Sequence, residues 1–281
     1  MPLYGAVEIG GTKTDVVFGT SPEDMTAPVR IDTTSPEATL SAVVDVLKSE
    51  RVDAVGIACF GPLDLVKGSI ATTPKPGWSG TPVKRLIEEG CGAVVTLDSD
   101  VNGSAIGEGR WGAAMGLDRF VYVTVGTGIG AGVVIDGTPI GGREGHPEAG
   151  HIVVRRTPGD SHVSSCPFHG DCLEGLASGP ALEARFGPSA GWTSREGQVL
   201  ATVAGYLAQG MRNLIYTVMP EMIIVGGGVS NLAGFHDRLG AETARYVAGY
   251  PTGVDVDWLI TPPGLGDLSG LAGALLLAGA G

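Results

Sequence analysis

Positive charge is scarce in this chain, with 18 lysines and arginines against 30 aspartates and glutamates and a net charge of -12. Such a surface repels phosphodiester backbones and anionic lipid headgroups, so neither nucleic acid nor membrane is an expected partner. A small anionic ligand escapes that exclusion, because a few local donors overrule a global field. Long apolar runs are also missing, and the opening Met1-Pro2-Leu3-Tyr4 leads straight into a strand-like segment with no basic leader or cleavage pattern. The expected location is the cytoplasm, where thiols stay reduced unless a metal takes them. Cysteine itself is sparse, with four in the chain. Cys59 lies in the apolar run Val55–Phe60 and reads as a small buried hydrophobe, and Cys91 follows a predicted helix. Cys166 and Cys172 sit close together with a histidine between them.

Glycine, by contrast, is abundant: 47 of 281 residues, without a collagen-like period and clustered at the ends of apolar runs. Chains turn or approach a ligand closely at such places. The length suggests two domains or one large one, and 43% hydrophobic against 17% charged residues excludes disorder. Leu3–Ile9 and Thr14–Phe18 read as strands joined by a hairpin turn at Gly10–Lys13. Further strands are expected near Val29–Thr33, Ala54–Ala58 and Ala93–Leu97, and helices at Ser35–Glu50, Pro82–Glu89 and Val101–Met115. The pattern then restarts, with Phe120–Val125 and Gly130–Ile135 flanking a second glycine turn, which suggests two halves of related architecture. Arg143–Cys172 lacks periodicity and reads as a loop held by something other than a core. A long helix at Arg195–Val218, a strand at Met222–Val225, a helix near Asn231–Val247, a strand near Val256–Ile260 and a buried helix at Leu268–Ala278 complete an α/β order.

Four groups of residues can carry chemistry. The glycine turns Gly10-Gly11-Thr12-Lys13 and Gly126-Thr127-Gly128, with a third run at Gly226, Gly227 and Gly228, let backbone N–H groups approach a polyphosphate. Neither turn has P-loop spacing, and each alone reads first as a tight hairpin; two such turns in related halves, with the third run after a buried strand, reverse that preference. Asp98-Ser99-Asp100 lies between a buried strand and a helix, so either aspartate can cap the helix, or Asp100 can accept a hydroxyl proton. His151, Cys166, His169 and Cys172 make a closed tetrahedral zinc set, with His146 and His162 as alternative ligands. Glu148 and Glu174 flank this loop and are either solvated supports or acceptors for vicinal sugar hydroxyls.

In this order, the segments resemble the ROK family of sugar kinases and related repressors over nearly the whole chain. Glu8–Lys13 resembles the first phosphate motif, Gly126–Gly130 the second, Gly226–Gly228 the adenosine-side glycines and Glu148–His151 the E-x-G-H element. The zinc loop Cys166–Cys172, with Thr73–Trp78 and Asp98–Gly103, is similar to bacterial fructokinases. The family often has aspartate where Glu8 stands, and glucose-type members have asparagine where Ser99 stands. The resemblance implies a two-lobed, actin-like (ribonuclease H-like) ATPase fold with the active site in the cleft between lobes. One lobe would be residues 1–113 plus 267–281, and the other residues 114–266 with the zinc loop at 146–175. It further implies ATP-dependent phosphorylation of a hexose 6-hydroxyl, most simply that of D-fructose. Asp100 would be the catalytic base, and Gly61, Pro62, Asp100, Glu148, His151 and Glu174 would contact sugar. ATP, magnesium near Glu8 and structural zinc would be its cofactors, and a homodimer its assembly. Glucokinase or mannokinase activity is the alternative. The family's repressors carry a helix-turn-helix segment ahead of the phosphate motif, which here begins at Glu8.

Overall fold

The computed structural model describes residues 2–141, 145–253, 255 and 259–280, which form two compact units. The first unit comprises Met1–Gly116, Thr138–Pro147 and Gly264–Gly281, and the second Leu117–Gly137 and Glu148–Pro263. The expected second lobe, residues 114–266, takes in 114–116, 138–147 and 264–266. The structure assigns them to the first, where Gly145 and His146 lie against Leu63 and Gly61. Arg143, the start of the expected loop, and Val256–Trp258 of an expected strand lie outside the described residues.

In the first unit β1 (Tyr4–Ile9), β2 (Lys13–Gly19) and β3 (Val29–Asp32) pair antiparallel in succession. β4 (Ala54–Cys59) lies parallel to β1; a small hairpin, β5 (Leu63–Asp64) with β6 (Ser69–Ile70), follows it in sequence. β7 (Val94–Ser99) completes the order β3-β2-β1-β4-β7. Side chains alternate across a strand, and the two faces differ in size. Val7, Ile9, Ile57 and Cys59 pack with Leu40, Val43 and Leu47 of α1 (Pro36–Leu47) and Val83 and Ile87 of α2 (Val83–Cys91). Ser35 caps α1, accepting from the Ala38 N–H, with Pro36 as its first residue, as the Ser-Pro signal predicts. The small side chains Ala6 and Ala58 face Leu271, Ala274 and Leu275 of the C-terminal helix Ser269–Gly279. That helix packs against α3 (Asp100–Trp111) so closely that a Cβ on Gly273 would collide with the Gly103 carbonyl. Here glycine serves close approach rather than a turn.

Glu108 of α3 is fully buried, and its carboxylate accepts four hydrogen bonds. They come from the N–H groups of Ala113 (2.7 Å), Gly264 (2.9 Å) and Leu265 (3.0 Å) and the Ser269 hydroxyl (2.6 Å). Multiple donors are what a buried carboxylate requires.

The second unit repeats the plan. β8 (Phe120–Val125) and β9 (Ile129–Ile135) form an antiparallel hairpin, and two residues, β10 (Thr138–Pro139), follow in the stretch assigned to the first unit. β11 (Met222–Gly226) pairs parallel with β8, and β12 (Ile260–Thr261) pairs parallel with β11. α4 (Leu173–Ala177), α5 (Gly179–Phe186), α6 (Glu196–Val218) and α7 (Phe235–Val247) enclose a core that includes Val121, Val123, Leu207 and Ile223. α7 begins later than expected, because Gly228–Asn231 makes a 3₁₀ turn and Gly234 takes φ +69°. Among the described residues no helix is long and apolar enough to cross a membrane.

Asp160, in the loop that precedes the cysteines, belongs to a polar network. It accepts from the Tyr206 hydroxyl, the His162 N–H (2.9 Å) and the Arg185 guanidinium (2.8 Å). Burial opposes its charge, but these donors overrule burial and hold its carboxyl down at about 2. An acid held below its unfolded value of 3.8 contributes stability above that value and loses it as the pH falls through the folded one. Asp160→Asn is therefore expected to cost about 2 kcal/mol near pH 6. In urea melts the gap from wild type should narrow as the pH drops from 5 through 3; a gap constant with pH would remove this linkage.

Candidate active site and metal centre

The first glycine turn joins β1 to β2. Gly10 N–H donates to the Lys13 carbonyl at 2.9 Å, Thr33 N–H to the Thr12 carbonyl at 3.0 Å, and Lys75 Nζ to the Gly11 carbonyl at 2.5 Å. No acceptor among the described residues takes the N–H groups of Gly11 and Thr12. The turn thus has the carbonyls of Gly11, Thr12 and Lys13 occupied and two amides available, the arrangement that suits an anion.

Glu8, on β1 just before this turn, has its carboxyl pushed up to about 7, first by burial and then by Asp100, with Asp15 and Asp267 adding and Lys13 opposing. A Cβ on Gly270 would lie 2.6–2.7 Å from both Glu8 carboxyl oxygens, so the C-terminal helix needs glycine there. Asp15 is already paired with Arg30 and Lys13, while a buried Glu8 carboxyl that feels Asp100 has the chemistry to suit a hard divalent cation, and in this respect the residues fit magnesium.

Asp100 is the first residue of α3. The cap belongs to neither aspartate: the Ser99 hydroxyl, nearly inaccessible, accepts from Asn102 N–H at 3.2 Å. Asp98 Oδ1 accepts from Ser99 N–H (2.6 Å) and Asn102 Nδ2 (2.9 Å), while Asp100 Oδ1 accepts from Val101 N–H at 2.9 Å. Ser99 is thus committed to the helix start. Elsewhere in the unit Gly61 precedes Pro62 through a cis bond, and His146 Cε1 lies 3.1 Å from where a Gly61 Cβ would stand. His146 Nδ1 is buried with no hydrogen-bond partner among the described residues.

In the second unit Gly126 N–H closes its turn on the Gly128 carbonyl at 2.9 Å, and Gly179 N–H at the start of α5 donates to the Gly126 carbonyl at 2.8 Å. Thr127 lies between them. Gly227, at φ +88°, sits where a Cβ would meet the Val125 carbonyl at 2.5 Å. The run Gly226, Gly227, Gly228 and the Gly126 turn therefore meet at the end of β8. Glu174 Oε2 accepts the Ile129 N–H at 3.0 Å and lies 2.7 Å from where a Gly128 Cβ would be. This carboxylate ties α4 to the glycine turn, a role the sequence did not suggest. Glu148 is exposed.

The ligand atoms of His151, Cys166, His169 and Cys172 all lie within 4.8 Å of one another. Cys166 Sγ is 3.8 Å from His151 Nδ1 and 3.7 Å from His169 Nδ1. A zinc tetrahedron with ordinary bond lengths has S–N edges of about 3.6 Å, so the set fits that ion with all four positions filled by protein. The loop is laced independently of metal. Arg156 donates to Asp171 (2.6 Å) and to the carbonyls of His162 (2.6 Å) and Gly170 (2.9 Å), and Cys172 Sγ caps α4 from Gly175 N–H. His146 and His162 are not in the set: one stands on Gly61 of the first unit, the other beside Asp160.

Two α/β units, each an antiparallel hairpin with a glycine turn joined to parallel strands, define the two-lobed actin-like ATPase fold. The ROK family model matches residues 4–280, and the chain belongs to the ROK family. It is 41% identical to a fructokinase of Zymomonas mobilis, covering 98% of this chain and 96% of that protein. It is 38% identical to a fructokinase of Pediococcus pentosaceus over 98% of this chain and 97% of the other. Among solved structures it is similar to a ROK family glucokinase from Streptomyces griseus in complex with glucose and AMPPNP. The TM-score is 0.85 at 27% identity, covering 99% of this chain and 100% of that one.

Proposed function

We propose that this chain is an ATP-dependent hexose kinase that phosphorylates the 6-hydroxyl of D-fructose. The observation that carries the reading lies in the first unit. A carboxylate at a helix start, Asp100, is electrostatically coupled to Glu8, and Glu8 leads into a turn with free amides. The similarity to two fructokinases over nearly full length supports the choice of sugar.

In this reading Asp100 orients the 6-hydroxyl and accepts its proton as the phosphoryl group arrives. Phosphoryl transfer has a loose transition state, so alignment and charge neutralisation supply most of the rate and Asp100 need not be a strong base. The amides of Gly11 and Thr12 would bind phosphate in the first unit; in the second, the turn Gly126, Thr127 and Gly128 would have the same role and Gly226–Gly228 would serve the adenosine. Magnesium, when bound, supplies charge neutralisation, and Glu8 would hold it through water. Zinc would be structural, because His151, Cys166, His169 and Cys172 leave it no open position. Glu148 would accept sugar hydroxyls. Glu174 has Oε1 to offer while Ile129 holds Oε2. Beside Gly61 and Pro62, the unfilled His146 Nδ1 is a further partner for a hydroxyl.

A coupled ADP-release assay over fructose, mannose, glucose and N-acetylhexosamines tests this reading. The highest kcat/KM is expected on fructose. A higher value on glucose or mannose would overturn the sugar assignment, and no turnover on any hexose would overturn the kinase.

A further inference from the structure

Lys75 lies in Thr73-Pro74-Lys75-Pro76-Gly77-Trp78, a segment outside every strand and helix. A lysine between two prolines ordinarily keeps its ammonium in water. This one is half-buried and spends its donors on backbone: Nζ donates to the Gly11 carbonyl at 2.5 Å and the Thr33 carbonyl at 3.3 Å. The segment is anchored to make that reach. Trp78 is fully buried, donates its indole N–H to the Thr34 carbonyl at 2.8 Å and packs edge-on against Phe60 with ring centroids 5.2 Å apart. Ser79 Oγ closes the loop, accepting from Thr73 N–H at 3.0 Å and donating to the Thr73 carbonyl at 3.1 Å.

The consequence follows from peptide planarity. In a trans peptide the C=O and the following N–H point in opposite directions, so fixing one aims the other. Lys75 holds the Gly11 carbonyl and thereby turns the Thr12 N–H the opposite way, and this N–H is one of the two left without a protein acceptor. The ammonium also places a fixed positive charge behind that amide.

We propose that Lys75 is a positioning residue for the nucleotide: it locks the Gly11–Thr12 peptide so that the Thr12 N–H is presented to a polyphosphate. This rests on reading Gly10–Lys13 as the phosphate-binding turn, and the experiment separates the two. On the full chain, Lys75→Met removes donors and charge at nearly constant length, Lys75→Arg keeps both, and Thr12→Pro deletes the amide itself. The measurements are kcat, KM for ATP and for D-fructose, and ADP affinity by calorimetry with magnesium and no sugar.

Lys75→Met is expected to raise the ATP KM and the ADP Kd at least about tenfold, the scale of one charge-assisted hydrogen bond. The fructose KM should stay within about twofold, and Lys75→Arg should recover most of the ATP affinity. Lys75→Gln, a milder change, should show the same selectivity at smaller size and carries the test if Lys75→Met folds poorly. A merely structural lysine would instead lower kcat and stability with the ATP KM unmoved, which would overturn the proposal, as would equal damage from Met and Arg. If Thr12→Pro weakens ADP and Lys75→Met does not, the lock is wrong and the phosphate turn stands. If neither variant weakens ADP, the phosphate turn itself is wrong.

Discussion

Asp100→Asn is expected to lower kcat by about 10²- to 10⁴-fold, the usual contribution of a positioned proton acceptor. It should leave folding and metal content intact, and the structure explains why. The start of α3 is capped by Ser99 and braced by Asp98 on Asn102, so helix formation does not depend on the Asp100 carboxylate. An asparagine can still accept the Val101 N–H that Asp100 Oδ1 now accepts. What is lost is the negative charge and its capacity to take a proton. A second readout follows from the neighbour: Asp100 is the leading charge that raises the Glu8 carboxyl, after burial. In Asp100→Asn the Glu8 titration, followed by carboxyl NMR, should therefore move down from about 7. A variant retaining kcat within about threefold of wild type would remove Asp100 from the chemistry.

The second large effect concerns the metal. Cys172→Ser should take zinc from about one per chain to almost none by elemental analysis. Serine is chosen because Cys172 has two duties: its sulfur belongs to the tetrad, and it also accepts the Gly175 N–H as the cap of α4. A serine hydroxyl caps a helix at least as well, so the substitution removes the soft ligand and keeps the cap. The core of the second unit does not include the tetrad's histidines, so the unit should stay folded while the loop loosens and the sugar KM rises. Full zinc occupancy in Cys172→Ser would refute the assignment.

Much of this was legible in the sequence, and the reasons are physical. Hairpins with glycine turns, such as Ile9 to Thr14 and Val125 to Ile129, are local and advertise themselves by apolar runs broken at fixed places. The tetrad was legible because three of its four ligands lie within seven residues, where a turn alone brings them together. What escaped depends on contacts distant in sequence. Nothing local distinguishes Lys75 from a solvated lysine until Gly11, 64 residues away, is placed above it. Gly270 looks like any small residue of a buried helix until Glu8 is set against it. The sequence could not exclude the two alternative histidines for the same reason. His146 and His162 are near the cysteines in sequence, but the backbone carries one to Gly61 and the other to Asp160.

The buried carboxylate of Glu108 has a consequence for how a ribosome delivers this chain. Three of its four donors, at Gly264, Leu265 and Ser269, are translated more than 150 residues after it, as are Leu271 and Leu275, which cover Ala6 and Ala58. A nascent chain that has emerged only to Pro263 holds every residue of the second unit but lacks three of the four groups that donate hydrogen bonds to this carboxylate. Vectorial synthesis should therefore complete the later-encoded unit first and leave the earlier one ajar until the last helix arrives.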